Sequence, residues 1–271
     1  MKINRGKVAQ ARRILLYGEN GVGKSSLAAQ FPNPLFLNVE NGIGDIECDS
    51  TDVLKSYSDL LGALIYCQTS DYSTIVIDTI DWAEKLLFQD VAKKNGKETV
   101  EDIGFGKGYQ RVELSWSNLI DAMTILWKQN RHIILTCHER IAKLKDPEGN
   151  ETSYWSPDLN DKSSGILSEW CSEVIYLKHK TYTRELDEGP KKRHIAVGGR
   201  ERIMVCNKQP AIEAKNRLGM PDELPLSIDS WKQFVPRVQL ALPETSGNVA
   251  GIVTDGSSKP PQFTEPIDSP F

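Results

Sequence analysis

The sequence predicts an α/β fold with a mostly parallel central sheet and helices on both faces. Two observations carry that expectation. Short apolar runs alternate along the chain with stretches whose apolar residues recur at helical spacing, the pattern of parallel strands joined by crossover helices. The predicted strands also end in glycine or polar residues, at Gly18, Glu40, Asp78 and His138. Ligands of such sheets sit beyond the carboxyl ends of the strands, so these four ends would converge on one crevice.

The first strand is residues 14–17, Ile-Leu-Leu-Tyr. The loop after it, Gly18-Glu19-Asn20-Gly21-Val22-Gly23-Lys24-Ser25, fits G-x-x-x-x-G-K-[ST] at every required position. Gly18, Gly21 and Gly23 let the backbone turn so that successive N–H groups converge on one point. The helix that follows, carrying Ser26, adds the positive end of its dipole there. Lys24 supplies a full charge for the β- and γ-phosphates, and the Ser25 hydroxyl suits Mg²⁺. Nucleotide binding, with ATP and Mg²⁺, is the expectation this loop creates.

The remaining elements follow in order. The loop helix runs to Phe31 and is stopped by Pro32 and Pro34. Residues 35–39 form the second strand, closed by Glu40 and the turn at 41–44. Val53, Tyr57, Leu60, Leu61, Leu64 and Ile65 give a helix over about 52–67. Residues 73–78 are a β-branched strand ending in Asp78. Ile80, Ala83, Leu87 and Val91 line the next helix, and a polar, glycine-bearing loop spans 94–108. Val112 to Trp127 mark a long helix, and 132–136 the fourth strand. Residues 139–164 read as a long polar loop without periodicity, which in a compact domain is functional or mobile. A helix over 166–170 and a strand over 173–177 follow. Two β segments, about 191–197 and 201–206, flank a hairpin turn at Gly198-Gly199-Arg200.

The folded core is thus expected over 13–235, behind a basic leader at 1–12. A flexible tail over 236–271 holds six of the 14 prolines. The formal charge of −4, from 33 basic and 37 acidic residues, announces no nucleic-acid binder globally, so any such role must come from local patches. Five cysteines without C-x-x-C spacing read as reduced core thiols. The chain shows no signal peptide and no apolar run long enough to span a bilayer, so a cytoplasmic location is expected.

Asp78, at the end of an apolar strand, is placed to hold hydrated Mg²⁺ with Ser25, or else to cap the next helix. Many P-loop ATPases put a glutamate directly after this aspartate; here Thr79 follows, so the base must come from elsewhere. Glu40 is the candidate, against the alternative of a solvated turn glutamate.

A P-loop strand, a strand ending in glutamate, then an Asp strand without a following Glu, is similar to the RecA-type recombinase core. Thr136-Cys137-His138-Glu139-Arg140 looks like the strand end where such proteins carry a γ-phosphate sensor, normally Gln, before a DNA-binding loop. Residues 165–174 resemble the helix and strand that close that loop. Lys215-Asn216-Arg217 resembles a segment that reaches a neighbouring subunit's ATP. The resemblance spans about 12–235. Among such cores, the chain resembles phage-encoded RecA-like single-strand annealing proteins. It implies that His138 senses the γ-phosphate, that Lys215 and Arg217 act in trans, and that subunits assemble head to tail as a ring or filament. A packed strand-end histidine and solvated cations are the alternatives.

Two loops would then face single-stranded DNA: 95–108 with Lys97, Phe105 and Lys107, and 139–164 with Arg140, Lys143, Lys145 and Lys162 beside the stacking candidates Tyr154 and Trp155. Six acids against four bases in 139–164 oppose that reading; eight bases against four acids in 178–202 favour a contribution from there. The tail tip, Thr264 to Phe271, looks like the partner-docking tip of bacterial single-stranded-DNA-binding proteins. The expected function is ATP-dependent single-strand annealing with slow ATP hydrolysis in phage recombination or replication. The rivals are a P-loop kinase of a small molecule, with 139–164 as its lid, and a nucleotide-switched replication loader or adaptor. A GTPase is disfavoured because Asn207-Lys208-Gln209-Pro210 puts Pro where guanine recognition needs Asp.

Overall fold

The structure, a computed structural model, describes residues 10–104, 106–145, 148–186 and 193–234, with backbone alone at 182–186 and 193–197. The chain divides into two units, residues 1–238 and 239–271, and all described residues lie in the first. The leader residues 1–9, Phe105 and the tail 236–271 with its tip lie outside the described residues.

In chain order the elements are β1 (Arg13–Gly18), α1 (Lys24–Ala28), β2 (Pro34–Asn38), β3 (Asp49–Ser50), α2 (Tyr57–Cys67), β4 (Thr74–Asp78) and α3 (Ile80–Lys94). Next come α4 (Lys107–Lys128), β5 (His132–Cys137), β6 (Glu139–Lys145), β7 (Glu151–Pro157) and α5 (Asp161–Trp170). The chain then forms β8 (Glu173–Leu186), β9 (Arg193–Val205), β10 (Glu223–Pro225) and α6 (Ile228–Lys232). The main sheet has the order β10-β9-β8-β1-β5-β4-β2-β3. Every pairing from β8 through β1 to β3 is parallel, and β8-β9-β10 closes one edge antiparallel.

Successive residues of β1 point to opposite faces, and both faces are buried, which is why the strand reads as unbroken apolar sequence. Leu15 and Tyr17 pack with Leu60 and Leu64 of α2, Leu87 of α3, and Trp116 and Leu119 of α4. Ile14 and Leu16 pack with Leu27 of α1 and Trp231 of α6. Each fully buried aliphatic side chain contributes roughly 2 kcal/mol. Side chains also set the helix starts: Ser56 accepts the Asp59 N–H at α2, Asn160 the Lys162 N–H at α5, and Ser227 the Ser230 N–H at α6.

The structure corrects the sequence reading in several places. Residues 139–164 are not an aperiodic loop: β6 and β7 pair antiparallel over seven positions, from Glu139 opposite Pro157 to Lys145 opposite Glu151. The ribbon stands apart from the main sheet, so its residues do not alternate apolar with polar, and Ile141 and Leu144 are both exposed. Gly198-Gly199 make no hairpin turn. They lie within β9 at φ 132° and 116°, where the β8–β9 register slips between His179 and Thr181, so glycine serves an irregular pairing instead. Helix α2 starts at Tyr57 because Ser56 caps it, five residues later than its apolar spacing suggested. The short elements β3, β10 and α6 carried no periodic signal. All five cysteines are free, four of them buried, with burial pushing Cys67 up to about 11 and Cys171 up to about 12. No helix among the described residues is long and apolar enough to cross a membrane.

Candidate functional site

Strand β1 runs between β5 and β8, so its carboxyl end opens between theirs. Gly18 is obligatory at that point: at φ 156°, a Cβ there would sit 2.2 Å from the carbonyl oxygen of Leu177. The loop turns through Gly21 at φ 75° and Gly23 at φ 110° into α1. Lys24 is buried and folds back over its own loop, donating to the carbonyls of Gly18 (2.9 Å) and Glu19 (3.0 Å). Burial lowers its pKa, against the opposing pull of Cys137, Asp81, Glu40 and Asp78.

The Ser25 hydroxyl donates to Oδ1 of Asp78 at 2.8 Å, and the Thr136 hydroxyl donates to the same oxygen. The Ser25 hydroxyl and the Asp78 carboxylate, side by side where the loop enters α1, are hard oxygen donors of the kind Mg²⁺ prefers beside phosphate oxygens. The backbone carbonyl of Asp78 accepts from Val39 (2.9 Å) and Glu40 (3.1 Å), which fixes the tip of β2 against β4. Glu40 therefore stands at the crevice. His138, just past β5, has Nε2 3.5 Å from Glu40 Oε1, and its Nδ1 lies 2.8 Å from Oδ2 of Asp81. The bond to Asp81 raises the His138 pKa against the pull of burial. Burial pushes Asp81 up, but the hydrogen bond and charge of His138 hold its carboxyl below the ordinary value.

Residues of β2, β4, β5 and the loop thus meet as their strand ends predicted. Four other contributors had no signal of their own. Asp81 sits three residues beyond Asp78, in the first turn of α3, and Thr136 two residues before His138; only the topology brings them inward. Arg202 of β9 donates to the Val22 carbonyl at 3.2 Å and packs over Gly23, and His179 of β8 bonds Glu19. Both come from strands more than 150 residues downstream of the loop they touch.

Lys215 and Arg217 lie elsewhere. Lys215 pairs with Val174 near the start of β8 and donates to the carbonyls of Ser168 (2.7 Å), Glu169 (3.2 Å) and Cys171 (2.8 Å). All three ammonium donors cap the end of α5, so Lys215 does not stand as a free cation. Arg217 is exposed and feels the charges of Arg13 and Lys215. Both residues are at the amino end of β1, remote from this chain's own loop.

The DNA-facing candidates divide similarly. Lys97, Lys107 and Lys145 are exposed. Arg140 is paired with Asp161, Lys143 with Glu151 (2.6 Å) and Lys162 with Glu113. Tyr154 is half-buried. Trp155 is not an open stacking platform: its ring stacks on Tyr176 at 6.2 Å and its backbone bonds Ala211 and Glu213.

A strand feeding a glycine loop into a helix, with Lys24, Ser25 and Asp78 gathered at the mouth, defines a P-loop nucleotide-binding ATPase core. The chain belongs to the AAA domain family, which matches residues 10–218. No curated protein matches the chain.

Proposed function

We propose that this ATPase core binds single-stranded DNA under the control of ATP and assembles head to tail, acting in strand annealing as RecA-like phage proteins do. One observation supports this reading above the others. His138, which touches Glu40 and Asp81 inside the crevice, is followed directly by β6. A nucleotide-driven shift of His138 is therefore transmitted to the base of the β6–β7 ribbon.

In this reading the loop amides and Lys24 receive the phosphates, Lys24 exchanging its bonds to the loop carbonyls for phosphate oxygens. Ser25 and Asp78 would hold Mg²⁺, which when bound would supply positive charge against the phosphates. Glu40 accepts a proton from water aligned on the γ-phosphate, and His138 reports the γ-phosphate to the ribbon. Arg217 meets the phosphates of a neighbouring copy. Lys97, Lys107 and Lys145 supply phosphate contacts for DNA, giving affinity that falls steeply with salt. The tail tip recruits a replication or repair protein.

The test is ATP turnover with and without oligo-dT, read beside particle size. Stimulated turnover with growth in particle size is expected, and Lys24→Ala lowers turnover by about 100-fold or more. If turnover is not stimulated and particles do not grow, the reading is overturned.

One feature favours a second reading, a small-molecule kinase. A cavity of about 520 Å³ lined by Asp81, Phe88, Arg140, Asp158 and Asn160 adjoins the crevice under the ribbon. A strictly monomeric protein that transfers phosphate to an added acceptor would establish that alternative.

A further inference from the structure

The Asp81 side chain is 2% exposed and makes two bonds to one residue. Oδ1 accepts the backbone N–H of His138 at 3.3 Å, and Oδ2 faces ring Nδ1 at 2.8 Å. An ionised carboxylate is an acceptor only. Nδ1 must therefore carry the proton, whatever the charge of the ring. That leaves Nε2 as the nitrogen directed at Glu40, and the ring plane is set by a side chain from the first turn of α3.

We propose that Asp81 is a positioning residue of the ATPase site: it fixes the tautomer and orientation of His138, and so commits Nε2 to the side where Glu40 and the phosphates meet. This rests on the reading of the crevice as a hydrolytic site. The same carboxylate also grips the backbone at the step from β5 into β6, so ring orientation and the root of the ribbon share one anchor. An acid in the first turn of a helix has a simpler use, favourable interaction with the helix dipole. That use needs neither burial nor a partner on another strand, and Asp81 has both.

The groups facing the His138 ring are Asp81 from α3, Glu40 from the tip of β2, and Lys24 from α1. Losing the charge at 81 removes the largest influence that keeps the ring protonated, so the ring deprotonates at lower pH. Asp81→Ala and Asp81→Asn in the full chain supply the test. Asparagine still offers an acceptor oxygen to Nδ1; alanine offers nothing.

For Asp81→Ala, kcat should fall roughly 10–100-fold with the KM for ATP within about threefold. The pH limb set by His138 should move to lower pH. The ¹⁵N signals of His138 should change from an Nδ1-protonated ring to the Nε2–H tautomer. Asp81→Asn should keep more of both activity and tautomer. An unchanged tautomer with unchanged kcat overturns the proposal. So does a loss explained wholly by lowered thermal stability, without a change in ring signals. If the unaltered protein hydrolyses no ATP, the hydrolytic reading falls, while the ring signals still decide whether Asp81 sets the tautomer.

Discussion

At its carboxyl end β1 opens into residues 18–25 against Glu40, Asp78 and Asp81. At its amino end it begins among Arg12, Arg13, Lys215 and Arg217, with Trp127 and Trp170 beside them. The anion site is thus the end crowded with carboxylates, and the cationic end is largely self-satisfied. Arg12 pairs with fully buried Glu173, and the Arg13 guanidinium lies over Trp127 at 4.3 Å and Trp170 at 5.1 Å. Lys215 is spent on α5. Under the proposed function, phosphate recognition at this end would rest on oriented backbone N–H groups and one lysine, with the acids left for a metal ion and water. A count of basic residues does not find such a site.

The largest effect that breaks the comparison lies at the cationic end. Arg12→Ala leaves the Glu173 carboxylate buried without its pair, which costs about 3–5 kcal/mol and is measured by urea denaturation. A cost below about 1 kcal/mol would mean that Arg13 or Lys215 can replace Arg12, so that the cations are interchangeable and not individually committed.

Acid sensitivity comes next. His132 begins β5, is buried, and accepts the Arg12 N–H on Nδ1 at 3.1 Å, a bond that requires a neutral nitrogen. Burial, with help from the charge of Arg12, pulls its pKa down from 6.5 to about 4. The unfolded chain therefore takes up this proton at higher pH than the folded one. The stabilisation is complete above pH 6.5 and is lost as pH falls toward 4, a change of roughly 3 kcal/mol. Unfolding free energies between pH 7 and 4 should show that slope, and His132→Gln should flatten it. The carboxyl end behaves oppositely, because His138 has its pKa raised by Asp81 and is stabilising in its protonated form.

The difference between the ends also explains what the sequence could convey. The loop 18–25, Glu40, Asp78 and His138 were legible because each ends an apolar strand, and a parallel sheet brings such ends together by topology alone. The ribbon β6–β7 was not. Its pairing is satisfied by its own backbone, Lys143 and Glu151 balance each other across it, and Trp155 packs on Tyr176 instead of on a periodic partner. Long-range contacts such as Asp81 to His138 or Arg202 to Val22 depend on where a helix start or a distant strand lands, which local pattern does not encode. Lys215 shows the converse error: a lysine in a suggestive segment whose three donors the fold uses elsewhere.

The smallest effects separate Lys215 from Arg217 and so sharpen the comparison most. Lys215→Ala removes the donors from three carbonyls at the end of α5 and should cost about 1–2 kcal/mol of stability. Arg217→Ala, on an exposed side chain, should stay within about 0.5 kcal/mol. In a head-to-tail assembly, however, Arg217 would stand against a neighbour's loop, and its loss should lower turnover roughly tenfold or more only at concentrations where particles form. Mixing decides the point. Arg217→Ala copies have an intact loop and Lys24→Ala copies an intact Arg217, so a random equal mixture pairs the two in about a quarter of its head-to-tail interfaces. Turnover above the sum of the separate variants would show that the cationic end of one copy completes the phosphate end of the next. Turnover equal to that sum would break the in-trans assignment and leave the two ends of β1 chemically opposite but functionally unconnected.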